Sequence, residues 1–303
     1  VAPPHICPAC AGHPCRRLKL GDRVPLKQCP RCLLAWWDWP ALNPVEFYDR
    51  DYFDSASQRK GYNNYAALEA GLRQTAAQRL RRIARLLAGS AGHPRDAVGR
   101  PRLLDIGCGT GIFLEVAGRA GWQAEGVEVS EYAARQARQR GLHVICQAIG
   151  DVALERATYD CVTLWDVIEH LPDPLEVLRK AAGALRAGGV LALSTGDVTS
   201  LCARLSGAAW HLFTLPEHLY FFSPTAIRRL FGRAGCKVVR VVREVNWVPV
   251  EYILERLGKS CGRPGRLVDR LLKVLRVDRV REWVVPATLL DVIGVYGLRS
   301  AEA

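Results

Sequence analysis

The sequence lacks any run of eighteen apolar residues, so no helix able to span a bilayer is expected. It also lacks a basic-then-apolar pattern at its start, Val1-Ala2-Pro3-Pro4-His5, and no secretory leader is expected. Methionine is absent altogether, for which the sequence offers no physical reason. Acidic residues are in deficit: 30 Asp and Glu face 42 Lys and Arg, a formal charge of +12. Such a surplus attracts nucleic acid, anionic membrane or phosphorylated small molecules; it serves equally as arginine on solvated faces. Cysteine, by contrast, is abundant. Eleven thiols without a leader fit a reducing compartment, hence the cytoplasm, and metal rather than disulfides. About half of the 303 residues are apolar, enough for one large domain and a small one.

The chain is arranged around Leu103-Leu104-Asp105-Ile106-Gly107-Cys108-Gly109-Thr110-Gly111. This reads as a buried strand, a glycine turn and then a helix from Ile112 to Ala120 with apolar Phe113, Leu114, Val116 and Ala117. Glycines at alternate positions let the backbone turn tightly and approach a ligand closely. The helix start offers free N–H groups at the tip of the strand. A dinucleotide fingerprint wants glycine at the first, third and sixth positions. Here the glycines are first, third and fifth, Ile112 takes the sixth place, and Asp105 closes the strand. Three further stretches follow: Gly126-Val127-Glu128-Val129-Ser130, the run from Tyr159 through Trp165-Asp166-Val167-Ile168-Glu169-His170-Leu171, and Leu185-Arg186-Ala187-Gly188-Gly189-Val190-Leu191. In that order and spacing the four resemble the motifs of class I S-adenosylmethionine (SAM) dependent methyltransferases, and are similar to the ubiquinone-biosynthesis O-methyltransferase branch. The resemblance runs from Arg102 to the end.

From Arg102 the pattern alternates strand and helix, which implies a doubly wound α/β sheet. Strands are expected at Arg102–Ile106, Ala124–Val129, His143–Cys146, Cys161–Leu164, Val190–Ser194, Lys237–Val245 and Val292–Leu298. The resemblance implies a Rossmann-like seven-stranded sheet with the last strand antiparallel. It also implies that Asp105, Gly107, Cys108, Gly109 and Gly111 shape the pocket for the amino-acid end of SAM. Glu128, beside Val129, would accept from both ribose hydroxyls. Ala148 and Ile149, after Gln147, would flank the adenine, where relatives often carry an acid that is missing here. Asp166 follows the fourth strand, at the ligand edge of such a sheet. His170 and His218 fall where relatives carry a histidine, and are candidate general bases; His211 is a third. His170 also reads as a residue that merely holds a loop. An oxygen acceptor with a pKa of about 10 or more needs such a base, whereas a carbon or nitrogen acceptor need not.

Residues 1–45 form a separate unit. Cys7-Pro8-Ala9-Cys10 and Cys29-Pro30-Arg31-Cys32 are two C-x-x-C knuckles with eighteen residues between them. Two thiolates from each of two tight turns close a tetrahedral shell, and the spacing is that of a zinc ribbon. Four ligands leave no open position, so the Zn²⁺ is expected to be structural. Cys15, His5 and His13 are read as bystanders.

Residues 46–101 carry an aromatic connector, with Tyr48, Tyr52, Phe53, Tyr62 and Tyr65, and then a helix from Tyr65 to Ala88 with Leu68, Leu72, Leu80, Ile83 and Leu87 on one face. The SAM-binding domain is assigned to 102–303. Within it, 246–286 is an insertion between the last two strands, read as a helical cap with amphipathic helices over Val248 to Leu257 and Leu267 to Val277. Its apolar and basic residues suit either a lid over the acceptor or a contact with anionic membrane.

Taken together these features indicate a cytoplasmic SAM-dependent methyltransferase with a structural zinc, acting on oxygen of a small-molecule, glycan or lipid-linked acceptor. An RNA base methyltransferase is the second reading, since Arg16, Arg17, Lys19, Arg23, Lys27 and Arg31 make the ribbon basic. A SAM- and zinc-binding interaction module without turnover is the third.

Overall fold

The computed structural model describes residues 6–12, 16–20, 24–37, 65–89, 99–250 and 283–301. The aromatic connector and residues 251–282 of the insertion lie outside them, as do His5, His13 and Cys15. Among the described residues no helix is long and apolar enough to cross a membrane.

The centre is a seven-stranded sheet. Its strands are β4 (Arg102–Ile106), β5 (Gln123–Glu128), β6 (His143–Cys146), β7 (Tyr159–Trp165), β8 (Leu185–Gly196), β10 (Cys236–Arg243) and β13 (Val292–Arg299). They lie in the order β10-β13-β8-β7-β4-β5-β6. β4 pairs in parallel with both β5 and β7, whereas β13 runs antiparallel between β8 and β10. All seven expected strands are present, the last antiparallel, with ends moved by up to a few residues.

Alternation along the strands explains the layering. Leu103 faces one core with Ile83, Leu114 and Tyr296, and Leu104 faces the other with Leu178, Ile227 and Phe231. The first core is covered by α1 (Tyr65–Ala88), α2 (Ile112–Arg119) and α3 (Glu131–Gln139); the second by α4 (Pro174–Ala184) and α6 (Pro224–Arg233). Truncating Leu104, fully buried, to alanine would cost about 2–5 kcal/mol. α6 starts as its sequence demands: the Ser223 hydroxyl accepts from the Ala226 N–H, Pro224 follows, and Gly235 (φ 82°) lies just beyond the end.

The cysteine-rich unit joins this body instead of hanging from it. β1 (Arg16–Leu20), β2 (Val24–Gln28) and β3 (Ala35–Trp37) form a second sheet whose fourth strand is β9 (Tyr220–Phe221), from the methyltransferase-like part. Cys7, Cys29, Cys32, Leu34 and Trp36 share a core with Ile227 and Phe231 of α6. The Ser223 hydroxyl donates to the Cys32 carbonyl, and Arg233 donates to that of Pro8.

The insertion departs from its expected form at its base. Val248 and Pro249, the start of an expected helix, lie in β11 (Asn246–Pro249), paired antiparallel with β12 (Val284–Ala287). The reason is packing against α1. A Cβ on Gly71 would stand 2.0 Å from the Trp247 carbonyl oxygen, so only glycine lets the ribbon lie this close. Thr75 accepts the Trp247 N–H at 3.0 Å.

Candidate functional site

The glycine turn between β4 and α2 has the conformation its sequence requires. Gly107, Gly109 and Gly111 all have positive φ, at 72°, 54° and 83°. The turn is clamped to the end of β5: the Gly107 and Cys108 N–H groups both donate to the Val127 carbonyl, and Cys108 packs on Gly126, where a Cβ would meet its sulfur at 2.5 Å.

Glu128 ends β5 beside this turn. One carboxylate oxygen accepts the Gly109 N–H and the other the Ser130 N–H, each at 2.8 Å. Each oxygen keeps a second lone pair, the requirement for receiving two vicinal hydroxyls. Burial raises its pKa, and the N–H groups of Ser130 and Gly109 oppose that. Asp105 is buried under the turn and accepts from the Thr163 hydroxyl at 2.6 Å. Burial pushes it up to about 7, against the pull of Thr163 and Arg79. Val129 is half-buried after Glu128, and Ala148 and Ile149 follow β6, where Lys180 holds the Ile149 and Gly150 carbonyls at 2.7 and 2.8 Å. Asp166, just past β7, has φ 55°, a left-handed conformation uncommon outside glycine. It accepts from the Ser194 hydroxyl at 2.9 Å, and its side chain is half exposed.

Arg79 of α1 belongs to this group, and sequence reasoning missed it. It is buried, with its guanidinium 4.4 Å from the centre of the Trp165 ring, 3.2 Å from the Ser194 hydroxyl and 3.8 Å from Asp166. The signal was present: Arg79 lies seven residues past Leu72, on the inward stripe, where an arginine needs a reason.

These residues fit SAM. Thr110, in the turn itself, has a buried hydroxyl without a hydrogen-bond partner among the described residues. Beside it stand an acid with lone pairs to spare and the start of α2.

His170 and His218 meet just past the C-terminal end of β7. Their rings are edge to face with centroids 4.7 Å apart, and one ligand atom from each lies with one of Glu169 inside 4.8 Å. His218 Nδ1 is 2.8 Å from the Leu212 carbonyl. A carbonyl only accepts, so Nδ1 carries the proton and Nε2 the lone pair. Burial, and next the His170 ring, hold His218 down to about 3. His170 Nδ1 meets the Glu217 carbonyl at 2.9 Å, the Asp166 backbone also bonds to this ring, and burial lowers its pKa. Those partners make His170 a clasp between two loops. Burial also lifts the Glu169 carboxyl to about 8. His218, Glu169, Thr195 and Trp210 line a tight cavity of about 10 Å³, and a larger one of about 320 Å³, lined by Arg156, Arg179, Arg233 and Arg299, opens at the opposite edge of the sheet. Position decides between them: in a sheet of this kind ligands bind at the C-terminal ends of the strands.

The cysteine site is equally regular. Cys7, Cys10, Cys29 and Cys32 have sulfurs all within 4.8 Å of one another, with Cys7–Cys32 and Cys10–Cys29 at 3.4 Å. The two knuckles repeat one geometry. Ala11 and Leu33, each following a second cysteine, have φ of 51° and 59°, and their N–H groups donate to the carbonyls of Cys7 and Cys29, each at 2.8 Å. A Cβ on Gly12 would press within 3.1 Å of the Cys10 sulfur. Four converging thiols with no carboxylate among them suit a soft tetrahedral ion.

Against known proteins, a family model described as a methyltransferase domain matches residues 71–241, from α1 to β10. The ubiquinone biosynthesis O-methyltransferase of Bordetella avium is 33% identical over 172 residues, 52% of this chain and 71% of that protein. That of Xanthomonas campestris is 32% identical over 137 residues, 42% of this chain. The chain thus spans 57% of the length of the Xanthomonas relative. Among solved structures, the magnesium protoporphyrin IX methyltransferase of Synechocystis with bound SAH aligns over 78% of this chain and 87% of that one, at 16% identity and a TM-score of 0.49. The chain belongs to the class I SAM-dependent methyltransferases.

Proposed function

We propose that this chain methylates an oxygen of a small-molecule, glycan or lipid-linked acceptor, with His218 as the general base. The observation that carries the reading is the His218 tautomer: Nδ1 is tied to the Leu212 carbonyl, so the Nε2 lone pair faces away from that bond and the ring is neutral. SAM, when bound, supplies a methyl group already activated on a sulfonium. The chain's part is then to hold the cofactor, orient the acceptor and take one proton. Glu128 would hold the ribose, the Gly107–Gly111 turn the amino-acid end, and Arg79 its carboxylate. Orientation of this kind is worth about 7–11 kcal/mol and a base about 10²–10⁴-fold. The cavity beside His218 is too small for an acceptor, so turnover needs the 207–219 loop with Trp210 and Leu212 to move. The names of the O-methyltransferase relatives support the choice of oxygen.

Cys7, Cys10, Cys29 and Cys32 would hold a structural Zn²⁺. That ion would act on the acceptor side through Trp37, whose indole N–H donates to the His218 carbonyl at 3.0 Å. This link, and the strand shared with β9, favour a ribbon that shapes the acceptor pocket over one that tracks RNA phosphates.

The test is transfer of isotopically labelled methyl from SAM to separate pools of hydroxylated metabolites, lipid-linked glycans and RNA. Label on oxygen in either of the first two is expected. Label confined to RNA would contradict the proposal.

A further inference from the structure

We propose that Cys202, His211 and Asp291 form a second metal site, for a divalent ion of the zinc type, distinct from the four-thiol group and from the histidine pair. One ligand atom from each of the three lies within 4.8 Å of the other two. They come from three separate pieces of chain at the C-terminal edge of β8: Cys202 from α5 (Leu201–Ser206), His211 from the loop that leads to β9, and Asp291 from the residue before β13. No local turn brings them together, so their convergence is a property of the tertiary fold.

The charge balance points to a cation. Asp291 has a side chain only 3% exposed, and among the described residues no lysine or arginine pairs with it. Its partners are the Trp210 indole N–H at 2.8 Å, His211 Nδ1 at 3.5 Å and the Cys202 thiol. A buried carboxylate is expected to be neutralised by a paired charge or a metal, and two of these partners are themselves metal-ligating groups. The His211–Asp291 separation is that of two ligands in a tetrahedral shell. Nitrogen and oxygen ligands at about 2.0–2.1 Å from zinc stand about 3.3 Å apart, against the 3.5 Å between His211 and Asp291. The thiol of the half-buried Cys202 lies within 4.8 Å of both of these ligand atoms. The Trp210 indole N–H donates to that same carboxylate oxygen of Asp291, Oδ2, at 2.8 Å and fixes its direction, as outer partners of metal ligands do.

The mixed sulfur, nitrogen and oxygen set selects zinc, or cobalt in its place, over magnesium and calcium. Three protein ligands leave one position open. Trp210 also lines the cavity that holds His218 and Glu169, so the site stands behind the wall of the proposed acceptor pocket.

The test is metal content and cobalt spectroscopy on the full chain, stripped with chelator and titrated anaerobically with Co²⁺ alone. Two ions per chain are expected for the wild type and one for Cys202→Ser and His211→Gln, both at half-buried positions. The wild-type minus His211→Gln difference spectrum should carry a single-thiolate band. Trp210→Phe should weaken only the second ion, by about 10–100-fold. Cys29→Ser separates the two sites: if the ribbon holds no metal, the ion lost in Cys202→Ser is still present in Cys29→Ser. A wild type that takes up only the ion removed by Cys29→Ser, or a second ion kept by both Cys202→Ser and His211→Gln, would overturn the proposal. Thermal melts of each variant check folding, and should either fail to fold, Cys202→Ala and His211→Asn repeat the count.

Discussion

The proposed cofactor side of the sheet is assembled from neighbours in sequence, the proposed acceptor side largely from segments far apart. Asp105, the Gly107–Gly111 turn, Glu128 and Ser130 lie within one strand–helix–strand unit; the bonds of the turn and of Glu128 close inside it, and Asp105 adds one to Thr163 of the adjoining strand. His218 instead depends on Leu212, on the ring of His170, itself held by the Glu217 carbonyl, and on Trp37, 181 residues away. A local unit keeps its geometry when the rest of the molecule is disturbed; an assembled one does not. The two sides should therefore fail separately.

The largest expected separation comes from removing the metal proposed for the ribbon. Chelation, or Cys29→Ser, should unfold the ribbon and abolish methylation of any acceptor the wild type uses, while SAM affinity changes by less than about twofold. Limited proteolysis with parallel calorimetry reads both. Loss of SAM binding together with activity would break the comparison.

A narrower disturbance is His218→Ala. It should lower kcat by about 10²–10⁴ and leave SAM affinity intact. The pH profile sharpens the point. Burial keeps His218 neutral down to about 3, so protonation of this ring should cost no activity between pH 7 and 5. A fall in kcat with an apparent pKa between 6 and 7, lost in His218→Ala, would mean that the ring is solvated in the working enzyme.

The smallest effect concerns Glu169. Its folded-state pKa, about 8, lies above the ordinary 4.5, so the folded chain holds this proton more tightly. The stability it contributes is complete below about pH 4.5 and is lost as pH rises through 8. Glu169→Gln should thus match the wild type in Tm near pH 4 and exceed it near pH 8. A variant less stable than the wild type at pH 8 would show that the ionised carboxylate is needed.

The same contrast explains what the sequence made legible. Glycine spacing and strand-end acids report on a local unit, so the turn, Glu128, all seven strands and the α1 limits could be read before the structure. The two knuckles could be read for the same reason. Arg79 was passed over because an apolar stripe was sought on α1 and a buried arginine within it was not. The strand β11 was read as helix because Val248 and Pro249 pair with β12 and pack on Gly71, contacts that periodicity does not carry. The docking of the ribbon on β9 rests on a two-residue strand, too short for any pattern. The Cys202–His211–Asp291 group joins residues up to 89 positions apart with no motif among them.

The most direct measurement is calorimetric titration of SAM into the full chain and into Glu128→Ala. The wild type should bind one SAM per chain, and the variant should bind about 5–150-fold more weakly, the loss of about 1–3 kcal/mol expected when charged hydrogen bonds are removed. A wild type that does not bind SAM, or a variant of unchanged affinity, would contradict the assignment of the Gly107–Gly111 turn and Glu128 as the cofactor site.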